Sequence, residues 1–381
     1  MKTVAVELST RMPETYRSAR VRSLFNVTPD QAATFRASVQ IPVDEDGWQI
    51  GLIVGPSGSG KSTIGRAAFG PRCFLRSAAF RWSKDRPIID EIAPASGFNS
   101  VAAALSAVGL GSCPSWLRPF HVLSTGERFR ATLASVLLEG GRRVVMDEFT
   151  SVVDRQVARI GAMAFAKAWR RTAGRQILLL SCHRDIVPWV QPDWILDTED
   201  FSFSRGCLRR RPEISFTVNT CRWSLYDSTF ARHHYLSLPH MIAATNYCAV
   251  VEGKPVAHVA VATTTGLKTA RMCRLVVAPE WQGAGIGLRF MSAVAGLWLS
   301  GRNRYSKPMT TVFHTSHPGL VAALLRRPDW IYMGGRMGEN GLSSWLSMAA
   351  SRLRHGNPRG HSRYGGHMRA IQAFRYVGAG T

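Results

Sequence analysis

Among the seven cysteines of this 381-residue chain there is no CxxC pair. Cys73, Cys113, Cys182, Cys207, Cys221, Cys248 and Cys273 are dispersed and odd in number. That pattern argues for reduced thiols in a cytoplasmic protein and against a zinc site. Long apolar runs are missing as well. The stretch near Phe290 falls short of the roughly 18–20 consecutive residues of a membrane span, so no membrane partner is expected. Met1-Lys2-Thr3 leads into no apolar h-region, and no secretory signal is expected. Acidic residues are few: 25 Asp and Glu stand against 48 Lys and Arg, a formal charge of +23. Such an excess suggests a polyanionic partner, because each cation placed on a phosphate releases a condensed counterion. Arginine outnumbers lysine, and a merely basic composition is the alternative reading. With 45% hydrophobic and 19% charged residues, the chain is not mostly disordered. Its length favours two domains.

The sequence divides near Arg209-Arg210-Arg211-Pro212, giving expected domains at 1–210 and 211–381. Short apolar runs at 50–54, 144–146 and 177–180 alternate with helical segments, as strands buried on both faces of an α/β sheet do. Past the division, 247–251, 256–262 and 272–278 carry the β-branched and small residues of strands, and 286–299 reads as a helix. A basic, glycine-rich loop at 351–366, with Arg352, Arg354, Arg359 and Arg363, precedes a last strand near 368–377.

Gly55-Pro56-Ser57-Gly58-Ser59-Gly60-Lys61-Ser62 fits GxxxxGK[ST] and follows the apolar run 50–54. Here glycines let backbone N–H groups curl around phosphate oxygens, and the next helix offers its positive end. Lys61 would reach the β- and γ-phosphates of ATP, and Ser62 would ligate Mg²⁺. Gly55, Ser57, Gly58, Gly60, Lys61, Ser62 and Thr63 are therefore the expected nucleotide contacts. The run ending in Met146-Asp147-Glu148 supplies two acids. Asp147 would hold the metal ion through water, and Glu148 is placed to polarise the attacking water.

Leu123-Ser124-Thr125-Gly126-Glu127-Arg128 resembles the LSGGQ signature of ABC-type ATPases. In the same order, Ser151-Val152-Val153-Asp154 resembles the D-loop and Leu180-Ser181-Cys182-His183 the switch-histidine segment. The resemblance implies an ABC ATPase domain in which His183 assists hydrolysis and Asp154 belongs to the nucleotide site. It also implies that Ser124 and Gly126 sit on the γ-phosphate of an opposite protomer's ATP, hence an ATP-dependent head-to-tail homodimer. Departures stand out. No glutamine occurs between 64 and 122, where the family has its Q-loop, and Trp82 to Asp85 takes roughly that place. This loss fits an ABC domain without a transmembrane partner, and the short interval leaves little room for a large helical subdomain. Phe149 stands where the family usually has proline.

Gln282-Gly283-Ala284-Gly285-Ile286-Gly287 fits the [RQ]xxGxG pattern and lies between an apolar strand and an amphipathic helix. It resembles the pyrophosphate loop of GNAT acyltransferases. The resemblance implies that Val277, Gln282, Gly283, Gly285 and Gly287 hold acetyl-CoA or a related acyl-CoA on backbone N–H groups at a helix N-terminus. Trp223-Ser224-Leu225-Tyr226 and Arg232-His233-His234-Tyr235 resemble the opening of the Mom-like branch of the GNAT superfamily, whose type member modifies phage DNA adenines. Thr311-Val312-Phe313-His314 and Ser316-His317-Pro318-Gly319 resemble the fifth strand and following helix of that fold. Acyl transfer to an amine needs a base, an acid and oxyanion donors. His234 and Tyr235 are the first candidates, followed by His314, Ser316 and His317, while surface packing of the histidines is the bland alternative.

The expected fold is thus an α/β P-loop ABC ATPase domain followed by a GNAT-like α+β acyltransferase domain, as in phage and prophage fusion proteins. The first functional reading is an ATP-regulated acyltransferase that modifies a DNA base, with DNA favoured over RNA. An ATP-driven RNA acetyltransferase is the second, and a non-enzymatic ABC switch with a degenerate acyl-CoA-binding half is the third.

Overall fold

The computed structural model describes residues 1–9, 14–27, 34–75, 80, 82–206, 214–234, 241, 243–263, 269–337 and 370–378. Tyr235, most of the connector at 206–212 and the basic segment 351–366 lie outside the described residues. The chain divides into two compact units, Met1–Arg81 with Glu139–Pro212 and Trp82–Leu138 with Glu213–Thr381. One crossing falls beside the expected boundary at 210. Residues 82–138, expected in the first domain, group instead with the C-terminal part.

The first unit opens with an antiparallel pair, β1 (Lys2–Ser9) and β2 (Thr34–Ile41), flanking α1 (Tyr16–Phe25) in sequence. A six-stranded sheet follows, built from β3 (Ile50–Val54), β4 (Phe74–Leu75), β5 (Arg143–Met146), β6 (Gln176–Ser181), β7 (Trp194–Asp197) and β8 (Phe203–Arg205). Its order is β4-β5-β6-β3-β7-β8, parallel except for the β7–β8 edge. Every residue of β3 and β6 is buried, which is why these strands read as continuous apolar runs rather than alternating ones. Gly51 lets the Trp194 ring lie against the strand; any side chain there would strike it. Helices α2 (Lys61–Phe69), α7 (Arg155–Trp169) and α8 (Val187–Val190) complete this unit. Because β6 separates β3 from β5, the loops leaving the carboxyl ends of those two strands converge across it, where ligands of open α/β sheets bind.

The second unit begins with α3 (Ile88–Glu91), α4 (Phe98–Ala107), α5 (Cys113–Trp116) and α6 (Thr125–Glu139). Only α4 and α6 exceed two turns, in keeping with the short interval in the sequence. Helix α6 begins at Thr125, within the polar stretch 123–128. Ser124 accepts the Glu127 N–H at 3.3 Å while the Glu127 carboxylate accepts the Ser124 N–H at 2.9 Å, a reciprocal cap that starts the helix inside a polar stretch. Then come β9 (Thr217–Cys221), α9 (Trp223–Leu225) with a wider turn at 226–230, β10 (Thr245–Val251), β11 (Lys254–Thr263) and β12 (Thr269–Val277). They are followed by α10 (Ile286–Leu299), β13 (Thr310–Thr315), α11 (Pro318–Leu324), β14 (Trp330–Met337) and β15 (Ala370–Tyr376). The seven strands pair in the order β14-β15-β13-β12-β11-β10-β9. Only β12 and β13 run parallel, joined by the crossover helix α10, whose Ile286, Phe290, Met291, Val294, Ala295 and Trp298 are buried. Their pairing spans Thr269↔Thr310 to Met272↔Phe313, although β12 continues to Val277.

Candidate functional site

At the end of β3 the chain turns through Gly55 to Gly60 into α2. Gly55, Gly58 and Gly60 all have φ values in the positive region, 146°, 81° and 85°. Side chains at Gly55 and Gly60 would also strike the Thr198 hydroxyl and the Phe35 ring. Thr198 and Phe35 thus shape the loop from outside, and neither carries a motif that sequence reading could use. Lys61 Nζ donates to the carbonyls of Gly55 (2.8 Å) and Pro56 (2.5 Å), so the ammonium lies within the curl of the loop. Helix α2 is preceded by Gly60, which makes no side-chain cap, with Ser57 in the loop before it and Thr63 in its first turn. This leaves the helix N-terminus suited to an anion.

Ser62 Oγ donates to Asp147 Oδ1 at 2.9 Å, and the Glu148 N–H donates to the same oxygen at 3.0 Å. The phosphate-loop serine and the acid at the end of β5 are therefore neighbours, as expected. Hydroxyl and carboxylate oxygens are the donor type Mg²⁺ takes, with water completing its octahedron. Glu148 is exposed and Thr150 buried, yet both adopt left-handed backbone conformations, φ 53° and 67°. Outliers of this kind cost about 1–3 kcal/mol and cluster at functional sites. Phe149, between them, donates its N–H to the Leu180 carbonyl at 2.8 Å, and Ser181 Oγ donates to the Phe149 carbonyl. Proline could not make the first of these bonds. His183 is half-buried beyond β6, its N–H bonded to Ser181 Oγ. Asp154 is exposed and caps α7, accepting from the Gln156 and Val157 N–H groups.

In the second unit, Ser124 is exposed and Gly126 half-buried at the N-terminus of α6. Burial pushes the pKa of Glu127 up, but hydrogen bonds from Ser115 and Ser124, with Arg118 nearby, outweigh it and hold the carboxyl below its usual range. The glycine-rich loop between β12 and α10 has Gly283 and Gly285 exposed at φ 92° and 75°. Gly285 begins α10 without a side-chain cap, with open space where a Cβ would project. A Cβ on Gly287 would press on Val277 at 3.0 Å. Beside this loop, β12 runs on past its pairing with β13. An open helix N-terminus fits a pyrophosphate, and the parting strands offer a slot for an extended chain. The Gln282 side chain instead ties the loop to its surroundings. Its Nε2 donates to the Val277 carbonyl and its Oε1 accepts the Gly111 N–H, at 3.1 and 3.0 Å.

The expected transferase side chains divide. His234 is half-buried and close enough to lower the basicity of His258. Its neighbour His233 accepts from Arg232 Nε at 3.2 Å, and burial pushes its pKa down. Burial does the same for His314, which lies on β13. His317 caps α11 through Nδ1, leaving Nε2 3.0 Å from the Gly111 carbonyl. Both ring nitrogens of His317 are committed to structure. Sequence reading missed His258, fully buried between the Arg274 carbonyl and the Asn246 side chain, with desolvation lowering its pKa to about 4. Arg274 itself is buried at φ 55°, its guanidinium over the Trp223 ring at 4.7 Å. Among the described residues, no group of three or more His, Cys, Asp or Glu side chains is placed to hold a metal ion.

Residues 215–302 match the family model for the Acetyltransferase (GNAT) family. With the loop, the parallel β12–β13 pair and the phosphate-loop sheet in view, the fold is plain. The second unit carries a stretch that matches the GNAT family model, and the first carries a parallel sheet with a glycine-rich phosphate-type loop. The nickel import ATP-binding protein NikO of Rhodobacter capsulatus is 38% identical over 88 residues, 23% of this chain and 34% of that protein. The chain thus spans about a third of the length of the curated relative it matches. Of solved structures, cbiO1 from Clostridium perfringens is 16% identical with a TM-score of 0.33, covering 43% of this chain and 76% of that one. The ATP-binding cassette MJ0796 bound to ADP and Pi is 13% identical with a TM-score of 0.38, covering 54% and 98%. No helix among the described residues is long and apolar enough to cross a membrane.

Proposed function

We propose that this chain is an ATP-hydrolysing ABC-type enzyme whose GNAT-like domain transfers an acyl group from an acyl-CoA to an amine of a nucleic acid base. The Ser62–Asp147 contact beside the Lys61 loop is the observation that carries the ATPase half. Bound ATP supplies the phosphoanhydride, and bound acyl-CoA supplies the thioester. Lys61 would exchange its loop carbonyls for phosphate oxygens, Ser62 and, through water, Asp147 would hold Mg²⁺, and Glu148 would orient the attacking water. His183 assists from the end of β6, and Asp154 supports the same site. Ser124 and Gly126 close on the nucleotide of a second copy, making a head-to-tail homodimer.

Residues Val277, Gln282, Gly283, Gly285 and Gly287 form the acyl-CoA loop, and His234 with Tyr235 serves the acceptor amine. Nucleic acid is favoured as acceptor by the formal charge of +23, and DNA adenine by the Mom-like segments at 223–226 and 232–235. The target base would have to leave the stack, at a cost of a few kcal/mol.

Expression of the chain beside a Glu148→Gln variant, with mass spectrometry of cellular nucleosides, tests this reading. The expected result is a modified deoxynucleoside with the parent chain, loss of that product with the variant, and an ATPase rate lower by about 100-fold or more. A modified ribonucleoside instead would move the acceptor to RNA. Unchanged nucleosides in both pools would overturn the transferase assignment.

A further inference from the structure

Arg130 stands on α6, one helical turn beyond Gly126, and is among the most deeply buried charged groups of the second unit. Its Nη1 donates to the carbonyls of Gly109 and Pro279, both at 2.6 Å, and Nη2 reaches the Glu280 carbonyl at 3.4 Å. Pro279 and Glu280 lead directly into Gln282. Two further contacts tie the same segments together. Gly109, at φ 85°, lies so close to the Gln282 carbonyl that any side chain there would strike it, and Gly111 exchanges bonds with Gln282 and His317. Gly319 of α11 likewise leaves room only for Ser106 of α4. A buried guanidinium is costly unless its donors are met; Nε of Arg130 is buried without a partner among the described residues, so its Nη groups depend on these three carbonyls, and the geometry that supplies them is preferred over near alternatives. The link is direct, from the signature end of a helix to the backbone preceding the glycine loop.

We propose that Arg130 and Gln282 are positioning residues that couple the signature end of α6 to the acyl-CoA loop. Nucleotide engagement by Ser124 and Gly126 then changes how residues 283–287 present their N–H groups to a pyrophosphate. The inference rests on the acyl-CoA reading above, and it adds a means by which ATP sets the affinity for the acyl donor. Coupling of this kind is reciprocal: the factor by which ATP alters coenzyme A binding equals the factor by which coenzyme A alters ATP binding.

Calorimetric titration of the full chain with coenzyme A, with and without ATP and Mg²⁺, tests the link in a Glu148→Gln background that spares the nucleotide. The expected result is an ATP-dependent shift in coenzyme A affinity of about five-fold or more, matched by the reverse titration. Arg130→Met should abolish the shift while ATP still binds, and Arg130→Lys should restore part of it. A merely structural role would weaken both titrations equally and leave their ratio unchanged, which would overturn the proposal. If Arg130→Met fails to fold, Gln282→Met, which removes the bonds to Gly111 and to the Val277 carbonyl, carries the same test. Coenzyme A binding that ignores ATP overturns the coupling alone. No coenzyme A binding under any condition overturns the acyl-CoA reading beneath it.

Discussion

His258 shows how much of the site's chemistry resides in single buried groups. It is fully buried, and desolvation lowers its pKa to about 4 from an ordinary 6.5. The unfolded chain therefore takes up the proton first as pH falls. The stability tied to the neutral ring is whole above about pH 6.5 and is lost on the way down toward 4. Between about pH 7.5 and about pH 5.5 this one group accounts for a loss of about 1 kcal/mol. Burial lowers the pKa of His314 and His317 too, so the total slope is steeper. Denaturant titrations at the two pH values should show the loss, and His258→Gln should shrink it. An identical pH difference in the variant would contradict the assignment. Residues such as Arg130, Phe35 and Thr198 are illegible in the sequence for one reason. Their partners lie far away along the chain, and no local pattern records a contact of that range.

Elements are easier to read where one local force decides them. The run at 50–54 and the helix at 286–299 fall on the observed bounds, since each is a continuous apolar pattern bounded by glycine or polar residues. The glycine loops are legible because their positive φ values favour glycine. The start of helix α6 is harder to read, because it is set by the Ser124–Glu127 cap rather than by apolar spacing. Glu127 also accepts from Ser115 Oγ at 2.6 Å. Glu127→Ala removes both contacts and should destabilise the second unit by about 1–2 kcal/mol, measured as a lower denaturation midpoint. A midpoint unchanged within error would mean that the cap is not what fixes this helix. The histidine candidates are a harder case. His317 matches the pattern of a catalytic group, but its position makes it a helix cap bonded to Gly111.

At the scale of the molecule, residues 82–138 are the feature that the sequence conceals most. Chain order places them within the unit of the six-stranded sheet, and instead they form one compact unit with the strands of the seven-stranded sheet. A linear reading sets a boundary where composition changes, near 210, and cannot register a segment that packs against chain more than a hundred residues downstream. Two separate anion sites stand on one polypeptide in this reading, a phosphate loop at 55–63 and a pyrophosphate loop at 282–287. Equilibrium dialysis of the full chain against ATP with Mg²⁺ and against coenzyme A probes both at once. Both should bind together to the parent chain, Lys61→Ala should lose only ATP, and Gly285→Glu should lose only coenzyme A. Coenzyme A that fails to bind the parent chain, or binds Gly285→Glu equally well, would contradict the two-site reading.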